Sequence, residues 1–251
     1  MATRYFIFLS FRGTSYCGWQ VQPASVTVQA VIEEALSTIL REKISTTGAG
    51  RTDSGVHAKL FCAHFDSSHS DLETSKNLLT RLNRFLPADI AVHSIKKVKN
   101  EAHARYSAIS RTYRYYVTKN KDPFREDTSW YVSCHLDVEI MNKACQMLIS
   151  TSDFTSFSKL HSNAKTNVCN VHYARWEDKG NLLVFTIKAN RFLRNMVRAI
   201  VGTMVELGRG RLALDDFEKI IVARNRCKAG KSVPAKGLFL EDIEYPGDIF
   251  L

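Results

Sequence analysis

The chain reads as an α+β protein built from two ferredoxin-like halves, each in the order β-α-β-β-α-β with helices laid on a largely antiparallel sheet. Two observations predict this. The apolar pattern switches between a period of two and a period of 3.6 in the same order twice along the sequence. No Gly/Ser linker or low-complexity stretch divides the 251 residues, a length that suits one large domain or two intimately packed halves. The repeat is one of element order, without residue-level identity between the halves.

The first strand is expected at Arg4–Phe11, where Tyr5, Ile7 and Leu9 face one side. A helix over Val28–Arg41 follows, capped by Thr27. Its apolar residues Val28, Val31, Ile32, Ala35, Leu36, Ile39 and Leu40 fall on one helical face. A strand near Lys43–Thr47 leads into a Gly-rich loop, and the next strand lies near Leu60–Phe65. A second helix, Thr74–Leu86, stops before Pro87, and a strand over Ile90–Val98 closes the half. The second half begins with strand Ser107–Thr118 and helix Val138–Ile149. Strands Asn170–Glu177 and Leu182–Lys188 come next, then a long helix Phe192–Leu207, a shorter one Asp215–Ala223 and a last strand Gly237–Ile243. The halves are expected at 1–104 and 105–251, forming one continuous unit.

Charge narrows the class of partner. Lys and Arg total 35 against 25 for Asp and Glu, a net of +10, which favours a polyanion such as nucleic acid through counterion release, although a merely soluble basic protein carries the same balance. The opening MATRYFIFLSFRG has only a short apolar run before Arg12 and no small-residue cleavage site, so it does not read as a secretory signal. Nothing approaches the roughly 20 apolar residues of a membrane span. Six cysteines without a C-x-x-C pair point away from zinc and from a disulfide framework, and toward a reducing cytoplasm.

Three segments carry candidate chemistry. In Gly48-Ala49-Gly50-Arg51-Thr52-Asp53-Ser54-Gly55-Val56-His57-Ala58, glycines that permit unusual backbone conformations surround a guanidinium, two hydroxyls, a carboxylate and an imidazole. An ordinary polar turn has the same spacing; the variety of chemistry within a few residues argues for more. In N-R-F-L-R-N-M-V-R, a helix would place Arg191, Arg194 and Arg198 on a common face. Such a face is commonly just solvated, but an Arg198 turned into a cleft would keep a nearby carboxylate ionised. Ala102-His103-Ala104-Arg105-Tyr106 runs into a strand where Arg111, Tyr113 and Tyr115 share one side and Thr112, Arg114 and Tyr116 the other. Arginines beside flat rings suit an unstacked base, and one of the tyrosines belongs to the core. Arg209-Gly210-Arg211 and the stretch from Arg224 to Lys231 are either further footprint or plain basic surface. A Walker phosphate loop, the zinc-deaminase signature and the G-x-S-x-G nucleophile elbow are all missing.

These segments resemble the bacterial tRNA pseudouridine synthase A family. G-R-T-D-S-G-V-H-A at 50–58 is similar to its active-site signature, Tyr16-Cys17-Gly18-Trp19-Gln20 to its Y-x-G-W-Q, and Ala102–Tyr106 to its F-H-A-R-F, with Ala102 and Tyr106 where phenylalanines are usual. D-F-T-S-F at 153–157, the long motif at 189–202 and G-L-F-L at 237–240 match in order as well. The resemblance implies the pseudouridine synthase fold, with both halves around a central sheet, a catalytic cleft between them and the catalytic loop in the N-terminal half. It implies that Asp53 is the essential aspartate and that Arg51 enters the RNA stack as the uridine flips out. Tyr113 would stack on the uracil, Arg198 would pair with the aspartate, and Leu238 would touch the base. His103 and Arg105 fall in an RNA-contacting segment. The family pattern also implies a homodimer without cofactor or metal, acting on uridines 38, 39 and 40 in the anticodon arm of tRNA.

A carboxylate can serve this isomerisation by attacking the sugar, attacking the base or removing a sugar proton, and the residues do not choose among these routes. Two competing functions leave features unexplained. A non-catalytic RNA-binding module would have no use for Asp53, and the RNP1 pattern is missing. A glycoside hydrolase would want a second carboxylate, which the signature lacks.

Overall fold

The computed structural model describes residues 2–75, 77–160 and 165–251. Lys76, inside the helix expected over Thr74–Leu86, lies outside the described residues. The chain forms two compact units, Met1–Ile109 with Leu240–Leu251, and Ser110–Phe239.

The first unit contains β1 (Thr3–Phe11), α1 (Val28–Leu40), β2 (Thr46–Gly48), β3 (His57–Ser67), α2 (Leu78–Phe85) and β4 (Ile90–Lys97), the β-α-β-β-α-β order read from the sequence. β1 lies antiparallel between β3 and β4, and β2 pairs antiparallel with β3. Strand alternation accounts for Tyr5, Ile7 and Leu9, which are fully buried, but Phe6 is fully buried too. The cause is the C-terminal segment. Tyr245 and Phe250 meet the Phe6 ring edge-on at 5.1 and 6.1 Å, so β1 is covered on both faces.

Local chemistry sets the helix ends. Thr27 caps α1, its hydroxyl accepting from the Ala30 N–H at 3.3 Å. α2 starts later than expected because Asp71–Ser75 close into turns, with Asp71 at φ 64° and its carbonyl accepting from the Thr74 N–H. It stops where expected, at the extended Leu86 before Pro87.

The second unit contains β5 (Ser110–Thr118), β6 (Trp130–Tyr131), α3 (Val138–Ser150), β7 (Val171–Lys179), β8 (Leu182–Ala189), α4 (Met196–Gly208) and α5 (Leu214–Val222). A last strand, β9 (Leu238–Glu244), starts in this unit and supplies Leu240–Glu244 to the first, beside β3. β8 lies antiparallel between β5 and β7. β6 runs parallel to β5, and its two residues are too few to show any periodicity. Asn142 of α3 exchanges two hydrogen bonds with the Trp176 backbone, at 2.8 and 3.0 Å, which clamps that helix to β7. The Trp176 ring stacks on Phe185 at 5.0 Å.

One expected helix is corrected. The long helix begins at Met196 rather than Phe192, because Asn195 stands at φ 66°, in the left-handed region that breaks a right-handed helix. Arg191 and Arg194 therefore precede α4, and the three arginines share no helical face.

Replacing the buried Thr27 cap tests the account of α1. Thr27→Ala is expected to lower unfolding free energy by about 1 kcal/mol, read as a shift in the urea midpoint.

Candidate active site

Arg51, Thr52 and Asp53 leave the end of β2 on a loop that re-enters the sheet at β3. Arg51 is exposed and Asp53 half-buried. A turn closes behind the aspartate, the Val56 N–H donating to the Asp53 carbonyl at 3.2 Å, and Gly55 takes φ 77°. His57 is fully buried, and its Nδ1 accepts from the Gly13 N–H at 3.0 Å. The imidazole that the sequence set apart is thus an internal acceptor pinning the start of β3.

Tyr16–Gln20 is what holds this loop. The Tyr16 carbonyl accepts from the Ser54 hydroxyl at 3.1 Å and from the Gly55 N–H at 3.4 Å. Gly18 stands at φ 80°, and a Cβ there would sit 2.2 Å from the Thr52 carbonyl oxygen, so no other residue allows so close an approach. The carbonyls of Gly18 and Trp19 accept from the Val28 and Gln29 N–H groups, which the first turn of α1 leaves without intrahelical partners. Trp19 stacks on Phe61 at 4.2 Å, and the Tyr16 hydroxyl donates to Asp89 at 2.6 Å. Burial, then Asp89, raises the Tyr16 phenol well above its usual range. One short segment therefore caps a helix and fixes the carboxylate's loop. The sequence marked these residues as a family match without giving them this role. Their signal was a glycine between two aromatics just ahead of a helix cap.

His103 and Arg105 lie in a tight turn before β5. The His103 Nδ1 accepts from the Arg105 and Tyr106 N–H groups at 3.1 and 3.3 Å, so the imidazole shapes the turn that presents the exposed Arg105. The guanidinium of Arg105 sits 5.5 Å from the Tyr106 ring centroid. Beneath the turn, His64 Nδ1 accepts from the Ala104 N–H at 3.1 Å, and its ring meets His103 edge-on at 4.5 Å. Ala102 is buried where the family motif carries a phenylalanine, and its carbonyl accepts from Arg4 at 3.2 Å.

In the second unit, Tyr113 of β5 is half-buried with its ring edge-on to Phe192 at 5.0 Å. Tyr115 is the core tyrosine, fully buried, its hydroxyl donating to the Pro234 carbonyl at 2.8 Å. Arg198, in the first turn of α4, donates from Nε to the Val233 carbonyl at 2.7 Å. Leu238 opens β9 and is buried. Of the two basic loops, Arg209 contacts Glu206 at 2.9 Å and the Cys134 sulfur at 3.1 Å, while Arg224 pairs with Asp153 at 3.1 Å. All six cysteines are free thiols. Among the described residues, no three His, Cys, Asp or Glu side chains gather as a metal site would require, and no helix is long and apolar enough to cross a membrane.

The α+β fold and the relatives of this chain together define a class: enzymes that rearrange the base of an RNA nucleotide. The profile of the tRNA pseudouridine synthase family matches residues 7–107 and 144–246. A tRNA pseudouridine synthase A of Parabacteroides distasonis is 54% identical over 249 residues, covering 98% of each chain. Its counterpart in Bacteroides thetaiotaomicron is 52% identical over 250 residues, 98% of this chain and 92% of the other. That of Colwellia psychrerythraea is 39% identical over 246 residues, 97% and 94% of the two. The chain belongs to the tRNA pseudouridine synthase family, and it is an isomerase that converts uridine in tRNA to pseudouridine.

Two outcomes follow from this geometry. Gly18→Ala, forced against the Thr52 carbonyl, is expected to cut kcat about 100-fold while tRNA affinity changes little, as steady-state kinetics and filter binding would report. The His64–His103 pair sets an acid limit. Burial, then His103 and Arg4, pushes the His64 imidazole from 6.5 down to about 4, Asp66 opposing; burial, then Arg4 and Arg105, lowers His103 as well. The unfolded chain then takes up protons first, so stability is full above pH 6.5 and declines as pH falls toward 4. His64→Asn, which keeps an acceptor for Ala104, is expected to flatten the decline in urea midpoint between pH 7.5 and pH 5.

Proposed function

We propose that this enzyme acts on uridines 38, 39 and 40 in the anticodon arm of tRNA, with Asp53 as the catalytic carboxylate. The observation that carries this reading is the bracing of the Asp53 loop. The loop is tied by hydrogen bonds to Tyr16 and pressed against Gly18, a fixed placement that a base-rearranging carboxylate needs and a solvated turn does not.

The target nucleotide must leave its stack, at a cost of a few kcal/mol. Arg51, exposed beside Asp53, fills the vacated place. The Tyr113 ring restores stacking on the uracil, worth about 1–3 kcal/mol per base. Leu238 gives the base an apolar contact, and Arg198 supplies the positive charge that favours the ionised aspartate. His103 and Arg105 serve the RNA backbone, Arg105 through its charge and His103 by shaping the turn that carries it. In the reaction the C1′–N1 bond breaks, the uracil turns, and a C1′–C5 bond forms. C5 gives up its hydrogen to solvent and N1 gains one, so no redox partner or external energy source is consumed. We place the enzyme in the cytoplasm as a homodimer that needs neither cofactor nor metal.

Asp53→Asn is expected to lower turnover by about 1,000-fold or more, with the fold and tRNA affinity retained. Release of tritium from 5-tritiated uridine in tRNA measures this directly. A variant that kept substantial activity would remove the assignment, and release of free uracil would mark a hydrolase. Carbodiimide mapping of tRNA from cells lacking the protein tests the three positions.

A further inference from the structure

The stretch from Arg224 to Lys231 reads in sequence as a basic surface for RNA, yet the Arg226 side chain turns inward. Its Nη1 donates to the carbonyls of Ala229 and Gly230 at 3.3 and 3.1 Å, and its Nη2 to the Ser232 hydroxyl at 3.1 Å. These three bonds gather residues 226–232 into a compact strap, anchored at its start by the Asn225 N–H donating to the buried Ser156 hydroxyl at 2.9 Å.

The strap lies along the first turns of α4. The Gly230 N–H donates to the Thr203 hydroxyl at 2.9 Å, and a Cβ on Gly202 would fall 1.9 Å from the Lys231 carbonyl oxygen, so strap and helix touch backbone to backbone. The Ser232 hydroxyl also accepts from the Asn195 amide, the residue whose left-handed backbone starts α4. One residue further on, Val233 and Arg198 exchange two hydrogen bonds. The Val233 N–H donates to the Arg198 carbonyl at 3.3 Å, and the Val233 carbonyl accepts from the Arg198 Nε at 2.7 Å. The strap then fastens to the core where Pro234 accepts from the Tyr115 hydroxyl.

We propose that Arg226 is a positioning residue for the isomerisation: it fixes the strap that aims the Arg198 guanidinium. With Nε spent on Val233, Arg198 has its two terminal nitrogens directed by that anchor, and the anchor is placed by Ser232 and Arg226. The inference rests on the role assigned to Arg198 under the proposed function.

The test is steady-state and single-turnover tritium release on tRNA for Arg226→Ala, Arg226→Lys, Arg198→Lys and the double variant Arg226→Ala/Arg198→Lys, at a temperature where thermal unfolding shows each one folded. Arg226→Ala is expected to lower kcat about 10- to 100-fold with KM and tRNA Kd within about twofold. Arg226→Lys should recover part of the loss, since an ammonium can reach one carbonyl but not span all three acceptors. In the Arg198→Lys background, Arg226→Ala should cost almost nothing further. Should Arg226→Ala not fold, Arg226→Lys carries the same comparison in both backgrounds. A raised KM and Kd, with kcat kept and the salt dependence of log Kd reduced by about one, would make Arg226 an RNA contact and overturn the proposal. So would unchanged kinetics, or a loss that multiplies in full with Arg198→Lys. Failure of the underlying reading shows separately: Arg198→Lys alone would then match the wild type, whatever Arg226 does.

Discussion

Gly18 in contact with the Thr52 carbonyl is the constraint on which the placement of the Asp53 loop depends. The glycine sits in a segment whose carbonyls are committed twice, at Gly18 and Trp19 to the first N–H groups of α1 and at Tyr16 to the far side of the aspartate loop. A loop hydrogen-bonded only to itself would leave the carboxylate free to sample water. Tied to a helix cap, it inherits the rigidity of the helix, and α1 is in turn held by five buried apolar side chains. Packing of an ordinary amphipathic helix is thereby converted into placement of one oxygen pair.

The second unit solves a related problem by different means. Arg198 projects from the first turn of a helix, where the preceding chain could leave in many directions. Asn195 fixes that direction with a left-handed backbone, and the Val233 carbonyl takes one of the guanidinium's donors. Both units thus orient a charged group through main-chain carbonyls of a neighbouring irregular segment. Carbonyls suit the task because their positions follow from the backbone, with no rotamer freedom to lose.

Much of this was legible in the sequence. The order of strands and helices followed from apolar periodicity, and Thr27 and Pro87 marked helix boundaries that the structure keeps. The signature around Asp53 named the loop. What escaped was decided by contacts between residues distant in sequence. Phe6 is buried because Tyr245 and Phe250 return to cover it, which no local window records. The start of α4 shifted because Asn195 is drawn to Ser232, 37 positions onward. Arg226 is a local exception: its acceptors lie three, four and six positions onward, but an irregular turn carries no periodicity to announce them. His57, set apart for its neighbours, proved to be an internal acceptor for Gly13.

The return of residues 240–251 to the first unit has a temporal consequence. During synthesis, β1 emerges from the ribosome early, with Phe6 and Phe8 along one face, while the aromatic residues that cover that face are translated some 240 positions later. The intervening stretch, Ser110–Phe239, can collapse around its own core in the meantime. The face of β1 that is made first is therefore covered only after the other unit has been translated.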